Sequence, residues 1–115
     1  FLDRAFYSAS SAGAQVFRLK PAAAIVSARR AGTTAALDQL NKYFTISQMP
    51  IISSRYWNMV HGNTPAEVEQ DLEGMQVMRF LGRNMAYFLK CIEAGRKAGV
   101  PLPREEGRIA TNFIR

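Results

Sequence analysis

The residues best suited to ligand chemistry are Arg29, Arg30 and Gly32, which lie in a short loop between an apolar run and a helix start. Residues 25–34 predict a strand, a loop and a helix in that order. In an open α/β sheet, ligands lie beyond the carboxyl ends of the strands, where free amides at a helix start favour electron-rich groups. The loop is therefore predicted to contact a ligand. The alternative is an ordinary connection with solvated arginines, because one glycine with two arginines matches no phosphate-binding fingerprint.

Two parallel strands are predicted to position this loop. The continuous apolar run at residues 22–26 is typical of a strand covered on both faces, and residues 50–54 form a second short strand candidate. The helix between them, with Thr33 or Thr34 as its cap and an end at residues 45–48, is long enough for a right-handed crossover. The pattern predicts a βαβ unit in an α/β fold.

A second group of candidate residues lies in an aromatic loop at residues 55–63, which contains Tyr56, the single tryptophan Trp57 and the single histidine His61. Loops at the carboxyl ends of neighbouring parallel strands converge on one crevice, so this loop is expected near Arg29. The alternative is that the two large aromatic residues pack at the end of the core or in an oligomer interface. His61 is predicted to be a turn residue, because no carboxylate is spaced to orient it as a base.

The longest predicted element is a helix over residues 64–95, which begins with a capping box formed by Thr64 and Glu67. Apolar residues then recur at three- and four-residue steps, which indicates one buried face. Such a rod is longer than a compact domain of this size needs, so Gly74 and Gly82 are candidate positions for a bend or a close helix contact.

The opening of the chain predicts the end of an amphipathic helix at residues 1–7, followed by a small, polar loop at residues 8–14. The helix has no capping signal ahead of it, so we expect the chain to lack its true beginning. The single cysteine, Cys91, excludes an internal disulfide and any multi-cysteine metal site within these residues, and its neighbours favour a small buried side chain.

Composition and charge restrict the class of protein. The chain has 115 residues, 48% of them hydrophobic and 21% charged, which is typical of one globular domain. It has no apolar run of about 18 residues and no secretory signal, so the expectation is a cytoplasmic protein without a membrane span. The net charge of +6 comes from 11 arginines and 4 lysines that are scattered along the chain, which favours an anionic ligand over a nucleic-acid surface.

Taken together, these segments resemble the C-terminal part of flavodoxin-like NAD(P)H-dependent FMN reductases, the multimeric flavodoxin family. The resemblance covers most of the chain and is carried by residues 1–4, 20–22, 27–33, 49–51 and 56–58. It implies a doubly wound parallel sheet of five strands, of which strands four and five lie here. The family would also assemble as a homo-oligomer, a dimer or a tetramer.

The resemblance implies that FMN lies at the carboxyl edge of the sheet and that NAD(P)H is the electron donor. The third flavin loop of the family falls on Ser27, Ala28, Arg29, Arg30, Ala31, Gly32 and Thr33, beside the isoalloxazine. Tyr56 and Trp57 would lie nearby or at a subunit contact. No side chain in these residues needs to act as a catalytic acid, base or nucleophile, because the flavin carries the redox chemistry.

The family's phosphate-binding loop and its second ring-contacting loop have no counterpart in these residues. The expected function is therefore the C-terminal portion of an FMN-binding oxidoreductase, a reductase of the FMN or quinone type, whose N-terminal strands belong to a longer parent. The alternative is a non-enzymatic interaction module that keeps the flavodoxin fold but has no flavin site.

Overall fold

The part of the chain that the structure describes, residues 1–13, 15–107 and 109–114 of this computed structural model, combines helices with a parallel sheet. The elements in order are α1 (Leu2–Ser11), β1 (Val26–Ala28), α2 (Thr33–Ile46), β2 (Met59–His61), α3 (Pro65–Gln70) and α4 (Leu72–Lys97). β1 and β2 are parallel neighbours, and α2 is the crossover between them. This arrangement confirms the predicted α/β class and the predicted end of α2.

The sheet contains an insertion that the sequence did not reveal. Ala22 forms a single parallel bridge with Ile51, and the regular ladder begins where Val26 pairs with Met59. The two pairings are four residues apart along the first segment, from Ala22 to Val26, and eight residues apart along the second, from Ile51 to Met59. The predicted strand at residues 50–54 is wrong beyond its bridge at Ile51, because the ladder uses Met59–His61, from the predicted aromatic loop.

The extra residues form a bulge, residues 53–58, that α4 holds in place. The Asn84 side-chain amide donates to the Ser53 carbonyl at 2.8 Å, and the Ser54 hydroxyl donates to the Val77 carbonyl at 2.7 Å. Arg55 also reaches α4, through a hydrogen bond and a contact over an aromatic ring. These contacts satisfy polar groups of the bulge that a continuous strand would satisfy in the ladder, so pairing resumes only at Met59.

Successive strand residues point to opposite faces of the sheet, and each face packs against a helix: α2 on one side and α4 on the other. Met59 packs with Ala24 and Leu37 beneath α2. Val60 faces α4, where a Cβ atom added to Gly74 would come within 3.0 Å of its Cγ1 atom. Gly74 thus permits the close helix contact that its position in the sequence predicted.

The predicted helix over residues 64–95 is two helices rather than one. The chain breaks at Asp71, whose ψ angle is 79°, so the bend lies at neither Gly74 nor Gly82. The Asp71 carboxylate caps α4 by accepting the Gly74 amide at 2.9 Å, and it also accepts the His61 amide of β2 at 2.7 Å. The break therefore ties the start of α4 to the sheet.

The predicted capping box is confirmed, with an offset of one residue. The Thr64 hydroxyl accepts the Glu67 amide at 3.3 Å, while the Glu67 carboxylate accepts the amide of Asn63, one residue before the cap, at 2.6 Å. Both orphan donors at the start of α3 are satisfied within four residues.

α1 extends through the predicted loop at residues 8–14 to Ser11, since serine and alanine do not interrupt a helix. Ala14 lies outside the described residues. The helix is followed by Gly13 in the left-handed region, with φ of 65°, and the Phe6 ring stacks on Phe17 at 4.4 Å between centroids.

Only the first half of α4 is buried. Gly74, Val77 and Leu81 are its buried residues, and all three lie within its first ten positions. Cys91 is exposed, which contradicts the predicted buried thiol. No helix in the described residues is long and apolar enough to cross a membrane. The second half exposes four large apolar side chains, called the exposed stripe below: Phe88, Leu89 and Ile92 on one face and Tyr87 beside it.

Candidate functional site

The loop predicted to contact a ligand leaves the carboxyl end of β1, as expected. Ala28, the last residue of β1, accepts the Gly62 amide at 3.2 Å, so the loop starts beside the end of β2. It ends at Gly32, which is the N-cap of α2 and has φ of 92° in the left-handed region. A turn of this kind favours glycine because a Cβ atom is strained there.

The start of α2 differs from the prediction in its cap. Neither Thr33 nor Thr34 caps the helix. The N-cap is Gly32, which has no side chain to accept a hydrogen bond from the first amides of α2. Thr33 is instead the first helical residue, buried, with its hydroxyl donating to the Met59 sulfur at 3.1 Å. The core packing of Thr33 explains the difference, and it leaves the first amides of α2 without a side-chain acceptor.

The surface of the loop is basic and open. Ser27, Arg29, Arg30 and Ala31 are exposed, and among the described residues neither arginine has an ion-pair partner. A Cβ atom added to Gly32 would meet nothing within 4 Å, so the space beside the turn is free. The loop combines free amides, positive charge and room, which fits the electron-rich edge of a planar cofactor.

Tyr56 and Trp57 lie on the flank of α2 rather than beside the two arginines. Their rings meet edge to face, with 4.8 Å between centroids, and the residues are 53% and 58% exposed. They line a cavity of about 390 Å³ that includes Thr34, the residue directly after the loop, but neither Arg29 nor Arg30. The aromatic pair lies in a groove beside α2.

The loop itself is residues 29–32, because Ser27 and Ala28, predicted to lie in the loop, belong to β1, and Thr33 begins α2. Of the strand predicted at residues 22–26, only Val26 belongs to β1, and Ala22 forms an isolated bridge.

Asn58 is a residue that sequence reasoning did not single out as a site. It is only 9% exposed, borders the same cavity, and its Oδ1 atom has no hydrogen-bond partner in the described part of the chain. Its backbone carbonyl accepts the Val26 amide at 3.0 Å, which fixes its position at the start of the ladder. The only sequence signal was a carboxamide directly before the apolar pair Met59 and Val60.

His61 is the last residue of β2, paired with Ala28, and not the predicted turn residue. It also has a carboxylate neighbour that its sequence spacing did not reveal. The Asp71 Oδ2 atom lies 3.8 Å from the His61 Nδ1 atom, which is too far for a hydrogen bond. Hydrogen bonds from two backbone amides hold the pKa of the Asp71 carboxyl below its ordinary value. The bond from Gly74 has the larger effect and the bond from His61 the smaller. Asp71 is thereby committed to structural hydrogen bonds, and no acid–base pair results.

A larger cavity of about 950 Å³ lies between α1 and α2, and its lining combines the aromatic residues Phe6, Phe17 and Tyr43 with polar and charged side chains. The Tyr43 hydroxyl donates to the Asp3 carboxylate, and this bond raises the pKa of Tyr43.

Among the described residues there is no group of three or more histidine, cysteine or acidic side chains that could hold a metal ion.

Comparison with known protein families gives a match to the first half of the chain. The family model described as NADPH-dependent FMN reductase matches residues 1–64, which is more than half of the chain. The matched residues include α1, β1, α2 and β2, together with the basic loop and the aromatic bulge. No curated protein and no solved structure matches the chain.

Proposed function

The chain belongs to the NADPH-dependent FMN reductase family, and on this premise we propose that it forms the flavin-ring side of an FMN-dependent oxidoreductase that takes electrons from NAD(P)H. The two-stranded parallel sheet with its flanking helices is part of a flavodoxin-like fold. The observation that carries the proposal is the basic loop at the carboxyl edge of the sheet, with uncapped amides at the start of α2.

In this proposal residues 27–33 bind the ring edge. Amides from Ala31 to Thr33 donate to the electron-rich edge of the flavin, and the αL turn at Gly32 lets the backbone approach it closely. Arg29 and Arg30 stabilise the negative charge that develops on reduction or pair with a nucleotide phosphate. FMN, when bound, supplies the hydride and electron chemistry, while the chain binds and orients.

We further propose that the chain acts as the C-terminal portion of a longer FMN-binding protein. None of the loops between its described elements has the glycine-rich pattern of a phosphate cradle, so a binding loop for the FMN phosphate would have to come from another part of the protein. A two-stranded sheet is also below the size usually needed for independent stability, which favours additional strands beside β1.

Flavin binding tests both parts of the proposal. FMN fluorescence quenching is measured for the 115-residue chain and for the same chain extended at its N-terminus by the residues its gene encodes there. We expect stoichiometric quenching with the extended protein and little with the chain alone. Tight binding by the chain alone would contradict the role as a portion. Absence of binding by both would contradict the flavoprotein and favour a non-enzymatic interaction module.

We also propose that the protein is a homo-oligomer that associates through the second half of α4. The exposed side chains of Phe88, Leu89 and Ile92, which share one face of α4, support this proposal together with the exposed Tyr87, because exposed apolar and aromatic residues of this kind are typical of protein interfaces. The same stripe would serve an interaction module without flavin, so flavin binding distinguishes the two functions.

A further inference from the structure

The side of α4 beside the bulge carries a row of charged, polar and aromatic residues. Four of them follow one another at steps of three and four positions and therefore share one face of the helix: Glu73, Gln76, Phe80 and Arg83. This face is called the α4 flank below. Phe80 is half-buried and the other three residues are exposed, so the row forms a surface rather than part of the core.

The bulge fixes the middle of the α4 flank. The Arg55 guanidinium donates to the Gln76 Oε1 atom at 3.0 Å, and it lies 5.5 Å from the centroid of the Phe80 ring. The Arg83 guanidinium lies 5.8 Å from the centroid of the same ring. A cation near an aromatic face is attracted by the ring quadrupole, so Phe80 holds both guanidinium groups on this flank.

The two ends of the α4 flank carry opposite charges. Glu73 lies in the first turn of α4, and Arg83 follows ten positions later, about 15 Å along the helix axis. Neither residue has an ion-pair partner among the described residues. A salt bridge requires direct contact, so these two charges cannot pair within one copy of the chain.

A row with this order of charges is complementary to a second copy of itself. Two copies related by a two-fold axis present the same surface to each other, and each contact between them occurs twice. Antiparallel packing of two α4 flanks places Glu73 of each copy opposite Arg83 of the other, and Gln76 opposite Phe80. Because the chain has a net charge of +6, two copies repel each other unless their contact matches opposite charges in this way.

The position of the α4 flank keeps it accessible in a longer protein. Additional strands are expected beside β1, whereas the flank lies beside the bulge, in the segment that leads into β2 at the other edge of the sheet. The flank is also separate from the main face of the exposed stripe. Phe88 and Ile92 follow the buried Leu81 at seven and eleven positions, so that face continues the buried side of α4 instead.

We propose that the α4 flank forms a second contact between copies of this chain, held by two symmetry-related ion pairs between Glu73 and Arg83, with Phe80 packed against Gln76 between them. Resting on the homo-oligomer in the proposed function, this contact is distinct from the one through the exposed stripe and requires no flavin. One two-fold contact generates a dimer, and two different two-fold contacts on one chain generate a closed tetramer.

Exchange of the two charges tests the contact in the extended protein. The stripe is first disrupted by Phe88→Glu with Ile92→Glu, and the dissociation constant of the remaining dimer is measured by sedimentation equilibrium. In this background Arg83→Glu and Glu73→Arg should each weaken the dimer at least about tenfold, because two attractive pairs become repulsive. The combined variant exchanges the charges and should return the dissociation constant to within about threefold of the background value.

The matched control is Lys42→Glu, which makes the same type of charge change on the exposed surface of α2, on the other face of the sheet, and should leave the dimer unchanged. Circular dichroism checks the fold of each variant. The proposal is overturned if the background protein stays monomeric at high concentration, or if the combined variant associates as weakly as either single variant.

The remaining proposals can fail independently of this one. If the stripe substitutions leave the dissociation constant of the wild type unchanged while the charge exchange restores the dimer, the contact through the stripe is wrong and the α4 flank is supported. FMN quenching of the same samples records separately whether the protein binds flavin.

Discussion

Gly32 is the residue whose backbone most constrains the basic loop. Its φ of 92° lies in the left-handed region, and a side chain there would meet no atom within 4 Å. Replacement therefore costs backbone strain rather than a clash. Gly32→Val should lower the free energy of unfolding by about 1–2 kcal/mol, measured by urea denaturation, and weaken FMN binding in the extended protein.

The matched control for Gly32 is Gly82, which lies within α4 with nothing close to its Cα. Gly82→Ala removes backbone freedom from the unfolded chain without strain in the helix, so it should raise stability by up to about 1 kcal/mol. A Gly32→Val variant as stable as the wild type would show that the loop tolerates another backbone conformation.

Charge at Arg29 bears on the flavin in the proposed holoprotein. Adding an electron pair increases negative charge at the ring, which a nearby guanidinium stabilises. Arg29→Glu should therefore lower the two-electron reduction potential of FMN bound to the extended protein, by about 20 mV or more. Spectroelectrochemical titration gives the potential. Arg79→Glu, on exposed α4 surface, carries the same charge change and should shift the potential little.

For single residues, the sequence predicted those features that depend on the residue type and on its neighbours in the chain. Glycine and arginine after a buried run predicted the loop and its place at the sheet edge. Thr33 was assigned to a cap because its type suits one, yet its hydroxyl lies in the core against Met59. Burial of Asn58 depends on pairing between distant segments, so its role could not be read from neighbouring letters.

At the scale of elements, Asp71 links three of them: it ends α3, caps α4 and binds β2 through the His61 amide. Asp71→Ala removes the cap and leaves two amides without their acceptor. The free energy of unfolding should fall by about 1–2 kcal/mol at neutral pH. Glu73→Ala, at an exposed position in the first turn of α4, should cost only a few tenths of a kcal/mol.

The contribution of Asp71 should depend on pH with a definite sign. Its folded pKa is lowered from 3.8 by the amides that it accepts, so the stabilisation is fully present above pH 3.8. It is lost as the pH falls through the lowered folded pKa. Urea denaturation at successive pH values should show the gap between wild type and Asp71→Ala narrowing only in this acid range. A gap that already closes at pH 6 would contradict the assignment of this stabilisation to the Asp71 carboxylate.

Elements with strong periodicity were predicted best. α2 and the buried face of α4 follow from apolar spacing, and the capping box at Thr64 follows from residue types. The break at Asp71 was missed because the apolar period continues across it. The displaced strand was missed for a different reason: residues 50–54 have the composition of a strand, but contacts with α4 decide where pairing resumes.

At the scale of the whole molecule, the exposed stripe on α4 should determine assembly. Phe88→Glu combined with Ile92→Glu places two charges in the stripe, and it should weaken self-association at least about tenfold. Sedimentation equilibrium gives the dissociation constant. Lys90→Glu alters charge on the same helix outside the stripe and should have a smaller effect. A wild-type chain that sediments as a monomer at high concentration would contradict association through α4.

The unequal spacing of the two sheet pairings has a consequence for how this protein could diversify. The bridge at Ala22 and Ile51 and the ladder at Val26 and Met59 lie on either side of the bulge, which Ser53, Ser54 and Arg55 hold to α4. The exposed positions Tyr56 and Trp57 make no such contact, so their side chains can be exchanged without shifting the register of either pairing. The bulge is thus a position where natural variants or a designer can alter ligand choice beside α2 while the scaffold stays unchanged.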